Sequence, residues 1–248
     1  MKPLISIITV CFNERAHIEK TLLSVFNQTL PGIEFIVIDG GSADGSKEII
    51  EQYSSRISYF SSEKDKGIYD GMNKGLSRAT GQYVFFLNGG DVLNGNDILE
   101  KVFATAADAD AYYGETLFIE EDGAVMGTRS QVTNQQTPEQ LTWKSLRRGM
   151  VVSHQAFIVK RELAPLYDLQ YRICADIDWM IACLKNCSSV VNTKLPVSQF
   201  RTGGTSAQQR KKAWKERYAI LKKHYGFFPN LFSHGLIVLR YIFSKKKF

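Results

Sequence analysis

EKDKGIYDGMNKGLSRATGQYVFFLNGGD, residues 63–91, carries a loop, a helix, a buried strand and an acidic turn in succession. Asp65-Lys66-Gly67 is a polar, glycine-containing loop. From there Ile68, Met72, Leu76 and Ala79 recur at three- and four-residue steps, the spacing of one helix face. Thr80-Gly81 is expected to stop that helix, with glycine supplying a left-handed cap. Tyr83-Val84-Phe85-Phe86-Leu87 is an apolar run of strand length, suited to a strand covered on both faces. Asn88-Gly89-Gly90-Asp91 follows at its carboxyl end, the edge of an open parallel sheet where ligands bind. A carboxylate on such a turn is placed to hold a divalent cation against a phosphate. Equally, Asp91 could do no more than cap the helix near Asp97.

Upstream, Leu4–Val10 is an apolar, β-branched run and so a buried first strand, ended by Cys11-Phe12-Asn13-Glu14. Ile18, Leu22, Val25 and Phe26 mark a helix core stripe. Ile33–Ile38 is a second buried strand, ending at Asp39-Gly40-Gly41-Ser42-Ala43-Asp44-Gly45-Ser46. A helix through Ile49-Ile50 and a short strand over Ile57–Phe60 complete a β-α-β-α-β-α-β order, which predicts a parallel, doubly wound sheet. Acidic and polar residues end these strands: Asn13 and Glu14, Asp39, Asp65 and Asp91. Strand ends on one sheet edge converge, so these groups can share one crevice. A single Asp in a Gly-rich turn serves to shape it; four in succession favour a site. Neither GxGxxG nor GxxxxGK[ST] occurs, which argues against a dinucleotide dehydrogenase and a P-loop enzyme.

Downstream, Ile98, Val102 and Phe103 suggest a helix, and Ala111–Ile119 and Val125–Thr128 flank a hairpin turn at residues 120–123. Thr137 could cap a helix over Glu139–Leu146. Gln155–Val159 reads as a strand with His154 at its start, a position where a lone histidine is usually structural. Ile173–Leu184 is a mostly apolar helix carrying Asp176 and Asp178, which do not share a face. Asp176 is either a cap or, in an apolar rim that raises its pKa, a general base. Phe200–Ser206 reads as a flexible basic loop.

The chain has 248 residues, 44% of them hydrophobic, enough for one large α/β domain with a tail. Its four cysteines, Cys11, Cys174, Cys183 and Cys187, lack metal-ligand spacing and read as reduced cytosolic thiols. Neither a signal peptide nor a run of ~20 apolar residues is apparent. Eleven Lys and Arg and one acid, Glu216, lie from Arg210 onward, giving +10 within a whole-chain charge of +6 and leaving residues 1–209 at −4. The expected division is a body over 1–206 and a basic, aromatic-rich helical tail over 207–248. Trp214, Tyr218 and Leu221 stripe its first helix, and an amphipathic segment from Pro229 ends in Lys245-Lys246-Lys247. Such a tail suits an anionic membrane surface, or packs on the body or a second copy.

Three segments carry a specific resemblance: Ser6–Asn13, Val37–Ser46 and Asp65–Gly75. The chain resembles family 2 glycosyltransferases, most closely bacterial enzymes of O-antigen, capsule or exopolysaccharide synthesis, over about Leu4 to Ser206. The resemblance implies an α/β GT-A (nucleotide-diphospho-sugar transferase) fold, with a mostly parallel central sheet flanked by helices. It implies an inverting transfer from a nucleotide-diphosphate sugar, by resemblance UDP-linked, to a hydroxyl of a polyprenyl-diphosphate-linked saccharide. Thr9, Cys11, Asn13 and Glu14 would line the nucleotide pocket, Asp39 would bond the base or ribose, and Asp65 would lie beside it. Asp70, Asn73, Lys74, Asn88, Gly90 and Arg201 would sit near the donor. Asp91 would hold Mg²⁺ or Mn²⁺, its motif lacking the first acid of the family's DxD pattern. His154 would join it near the diphosphate, and Asp176 would be the catalytic base. The enzyme would be cytoplasmic and peripheral on the inner membrane face through its tail, with a second copy of itself as a candidate partner, and would not bind nucleic acid. Two rivals, a sugar-phosphate nucleotidyltransferase and a nonenzymatic anionic-polymer-binding protein, explain less. The first needs a basic phosphate loop that residues 11–15 lack, and the second leaves the strand-end acids unexplained.

Overall fold

A computed structural model describes residues 2–120, 122–201 and 209–231. Nine strands of the described residues form one sheet in the order β3-β2-β1-β4-β8-β6-β9-β5, with β7 on β6. The first half follows the βα alternation: β1 (Ile5–Cys11), α1 (Ile18–Phe26), β2 (Ile33–Asp39), α2 (Ser46–Gln52), β3 (Tyr59–Ser62), α3 (Ile68–Arg78) and β4 (Tyr83–Phe86). β1, β2, β3 and β4 pair in parallel. β1 and β4 are wholly buried, as runs covered on both faces must be.

Two local expectations for residues 63–91 are corrected. Ile68 faces outward, and the buried face of α3 is Tyr69, Gly71, Met72, Gly75 and Leu76. A Cβ at Gly75 would lie 2.4 Å from Ile8 Cγ2, so glycine is what lets α3 lie close on β1. The helix ends without a left-handed cap, because Ala79 is extended at φ −61° and ψ 131°. Gly81 is instead required by crowding, since a Cβ there would meet Ser6 N at 2.6 Å.

Beyond β4 the sheet is mixed rather than mostly parallel. β5 (Val92–Leu93), α4 (Ile98–Ala104), β6 (Ala111–Ile119), β7 (Val125–Thr128), α5 (Arg129–Val132), β8 (Phe157–Lys160), α6 (Ala175–Asn186) and β9 (Val190–Arg201) follow. β8 is antiparallel to both β4 and β6, whereas β9 runs parallel to β6 and antiparallel to β5. The hairpin joining β6 and β7 lies where its turn residues place it. Glu139–Leu146 does not form the expected helix; a 3-10 turn spans Trp143–Arg148. Phe200 and Arg201 belong to the end of β9 rather than to a loop.

The basic helix α7 (Arg210–Tyr225) is not a separate tail. Ala213, Glu216, Ile220 and Leu221 are buried against the body. The Glu216 carboxylate accepts the backbone N–H groups of Arg172, Ile173 and Cys174 at 2.8–3.0 Å. Lys223 and His224 reach Asp178 at 3.0 and 2.7 Å, and Tyr225 stacks on Trp143. The expected boundary at 206/207 therefore separates residues that share one core, and some of the basic charge has acidic partners in the body. The segment after residue 231 lies outside the described residues. Among the described residues no helix is long and apolar enough to cross a membrane.

Candidate active site

The turns after β1 and β2 are stitched together by short polar side chains. Asn13, at φ 55°, donates its N–H to Ser42 Oγ at 2.8 Å and accepts Ala43 N–H on Oδ1 at 3.1 Å. The Glu14 N–H reaches Ser46 Oγ at 2.8 Å, and the Arg15 N–H reaches Asp44 at 2.9 Å. Asn13, Glu14, Arg15, Ala16, His17 and Asp44 line an open groove of about 580 Å³. Thr9, Cys11 and Asp39, expected in this pocket, lie beneath it instead. Thr9 is fully buried, with its hydroxyl donating to Leu87 O at 2.6 Å. Asp39 is fully buried and accepts the Ser42 N–H and hydroxyl and, at 2.6 Å, the Ser62 hydroxyl. Cys11 Sγ lies 3.6 Å from Asp39 Oδ1, and burial pushes its thiol pKa far up. These three hold the floor of the turns.

The turn after β4 lies against the first one. A Cβ at Gly89 would meet Glu14 Cγ at 3.2 Å, and one at Gly90 would meet Glu14 Oε2 at 3.5 Å. Asp91 is 4% exposed and accepts Gln155 Nε2–H at 2.8 Å. Burial raises its pKa to about 7, opposed by the Gln155 hydrogen bond and the Arg201 backbone. Burial and Asp44 raise the pKa of Glu14 against an opposing pull from Arg201, which places the end of β9 beside both acids. Asn88 Oδ1 is buried in the same turn with no hydrogen-bond partner. An orphaned carbonyl oxygen near a desolvated carboxylate, with Glu14 close by, is an all-oxygen donor set that fits a hard divalent cation such as Mg²⁺ or Mn²⁺. The described protein groups do not complete a cage: they include no cluster of three His, Cys, Asp or Glu side chains able to hold a metal. Mg²⁺ bound by one or two carboxylates plus substrate phosphates needs none.

His154 departs from its expected place beside the metal. Its ring packs between Phe86 and Trp179, and Nε2 is 2.6 Å from the Tyr167 hydroxyl. Burial drives its pKa to about 3, so the ring is neutral. The adjacent Gln155 is the residue that reaches Asp91.

On the α3 side, Asp65 accepts the Gly67 N–H at 2.9 Å, and its Oδ2 would lie 2.7 Å from a Cβ at Gly40, so it abuts the β2 turn. Asp70 accepts the Lys66 N–H at 3.0 Å. Asn73 clamps Tyr167 through both its N–H and its carbonyl, at 2.7 and 3.0 Å. Lys74 pairs with Glu63 at 2.9 Å in a separate shallow groove with Tyr59 and Arg78. Asn73 is thus held by Tyr167, whereas Lys74 meets only exposed or half-buried acids.

Asp176 opens α6. Its Oδ1 accepts the Ile177 N–H at 2.9 Å and the Tyr69 hydroxyl at 3.3 Å. The residue keeps a little open surface, but its carboxyl is enclosed. That burial raises the pKa to about 6, opposed by the Ile177 and Tyr69 hydrogen bonds and by Arg217. A carboxylate poised near neutrality is suited to accept a proton. Tyr69 stacks on Tyr167, which stacks on Trp179. One aromatic network thus runs from the His154-Gln155 support of Asp91 to the Tyr69 support of Asp176.

A family model described as Glycosyl transferase family 2 matches residues 6–164. The chain belongs to this family. It is 29% identical to an uncharacterised glycosyltransferase of Mycobacterium tuberculosis over 95% of this chain and 90% of the relative. It is 27% identical to TuaG of Bacillus subtilis, named for teichuronic acid biosynthesis, over 90% and 88%. Among solved structures, residues 1–349 of S. aureus TarS bound to UDP superpose with a TM-score of 0.70 at 16% identity, over 100% of this chain and 74% of that TarS chain. PcManGT of Pyrobaculum calidifontis, a mannosyltransferase bound to GDP-Man and Mn²⁺, gives 0.67 at 15% identity, over 97% and 70%. The fold is the GT-A fold of these enzymes, and the protein is a family 2 glycosyltransferase. Sequence reasoning missed Tyr69, Gln155 and Tyr167 in it. Tyr69 and Gln155 were each one position from a named candidate, but only the fold shows which carboxylate each one touches.

Proposed function

We propose that this glycosyltransferase catalyses an inverting sugar transfer from a nucleotide-diphosphate sugar to an acceptor hydroxyl. The nucleotide lies in the groove at Asn13, Glu14 and Asp44, and the diphosphate lies toward Asn88 and Asp91. A divalent cation held there by Asp91 would neutralise charge on the departing diphosphate. Asp176 takes the proton from the acceptor hydroxyl. The acceptor oxygen then bonds to the anomeric carbon as the bond from that carbon to the diphosphate oxygen breaks. Attack from the face opposite the leaving group gives inversion. The observation that carries this reading is the enclosed Asp176 carboxylate, with a pKa of about 6 and a hydrogen bond from Tyr69.

UDP is the proposed nucleotide, supported by the UDP-bound TarS structure of the same fold. Surface-polysaccharide synthesis on a lipid-linked acceptor is the proposed setting, supported by the name of the TuaG relative. Exposed Phe227, Phe228 and Leu231 follow the lysines of α7, an arrangement suited to an anionic membrane surface. The test is nucleotide release from a panel of nucleotide sugars with Mn²⁺, Mg²⁺ or EDTA, for wild type, Asp91→Ala and Asp176→Asn. Metal-dependent release lost in the Asp91 variant supports the reading. No release from any sugar, with no nucleotide-induced rise in Tm, overturns it.

A further inference from the structure

Two arginines far apart in sequence meet beside Asp176. Arg129 begins α5, and one of its terminal nitrogens donates to Met150 O. Arg217 lies on α7, directly after the Glu216 that fixes residues 172–174, and its Nη1 is 4.0 Å from where a Gly149 Cβ would stand. Both guanidinium groups therefore border the 149–150 turn. They act electrostatically on each other and on Asp176, so all three charges share one small volume. The Nε of each is buried without a hydrogen-bond partner. Among the described residues neither forms an ion pair within 4.0 Å. Glu115 is the other acid near Arg129, and its carboxylate accepts the Ser130 hydroxyl. Burial lowers the Arg129 pKa to about 10, which still leaves it charged at neutral pH.

Two close cations with buried, unsatisfied N–H donors are unfavourable unless an anion joins them. The planar guanidinium fork matches phosphate oxygens, and two forks can grip one phosphate. The diphosphate of the donor has its own place at the Asp91 turn, whereas a group within reach of the base borders the acceptor. We propose that Arg129 and Arg217 form a subsite for a phosphate group of the acceptor, resting on the reading of Asp176 as base. The hydroxyl that Asp176 deprotonates then belongs to a sugar next to a phosphate. This enzyme glycosylates phosphate-linked sugars in preference to the neutral interior of a long glycan.

The experiment titrates inorganic phosphate and UDP into the full chain with Mn²⁺, by calorimetry, each alone and in the presence of the other. Wild type, Arg129→Gln, Arg217→Gln and Arg217→Lys are compared. Phosphate is expected to bind alongside UDP, with affinity falling about tenfold in either Gln variant, the loss of one charge-assisted contact. Arg217→Lys should fall between, and UDP affinity should hold in all, which also shows that the variants are folded. Phosphate that displaces UDP, or UDP affinity that falls with phosphate affinity, assigns the arginines to the donor and overturns the proposal. So does phosphate binding that is absent or indifferent to the substitutions. If UDP fails to bind wild type, the donor reading falls, and the phosphate titration without UDP still decides the subsite.

Discussion

The groove at the β1 and β2 turns and the surroundings of Asp176 differ in how far apart their parts lie along the chain. The groove is made by Asn13, Glu14, Ser42, Asp44 and Ser46, on neighbouring βα turns of a parallel sheet. The Asp176 end draws Tyr69 from α3, Arg129 from α5 and Arg217 from α7. The first is what consecutive right-handed βα units deliver at a sheet edge. The second exists only once α7 has docked. Substitutions at the two ends should therefore register in different quantities, affinity at the first and turnover at the second.

The largest effect belongs to Asp176→Asn. Turnover should fall by about 10²–10⁴ with donor affinity within about twofold. A raised carboxylate pKa favours the fold below about 3.8, and that contribution is lost as pH rises through about 6. At pH 7 the isosteric amide should therefore raise stability, by roughly 1–3 kcal/mol. A lower Tm in this variant would break the comparison. In the wild type with saturating Mn²⁺, which keeps the Asp91 carboxyl ionised, kcat/KM should climb through about pH 6, and the climb should vanish in Asp176→Asn.

Asp91→Asn comes next, read as weaker metal and donor binding; an unchanged metal titration would remove Asp91 from that end. Glu216→Gln leaves three backbone N–H groups with poorer acceptors, costing about 1–3 kcal/mol. It should lower turnover more than nucleotide affinity, measured by Tm and steady-state kinetics. Lys74→Ala is the smallest: its exposed pair with Glu63 predicts stability within about 0.5 kcal/mol of wild type and unchanged donor affinity. A large loss of donor affinity there would return Lys74 to the site.

What was legible in the sequence follows the same division. β1, β2 and β4 announce themselves because largely buried strands are continuous apolar runs. β9 did not, although it is 12 residues long. It holds Asn192, Lys194 and Pro196, takes a positive φ at Lys194, and shifts register against β6, so no period of two survives. Asp91 and Asp176 could be singled out by position and type, and both carboxyls lie in surroundings that raise their pKa. Asp39 has the same strand-end position, but Ser42 and Ser62 engage both its oxygens, and Ser62 lies on the next strand. His154 was misplaced for a similar reason, because its surroundings come from Phe86, Tyr167 and Trp179 on three other segments. The charge count that set residues 207–248 apart took no account of Asp168 and Asp178, acids of the body that pair with Lys223.

The Glu216 clasp also sets an order of events during synthesis. Chains fold from the amino end as they emerge from the ribosome. The βα units over residues 5–86 can assemble while the remainder is still being made. Residues 172–174, just ahead of Asp176, must wait for a carboxylate more than forty positions downstream. A nascent chain can thus complete the groove at its β1 and β2 turns well before it can complete the surroundings of Asp176.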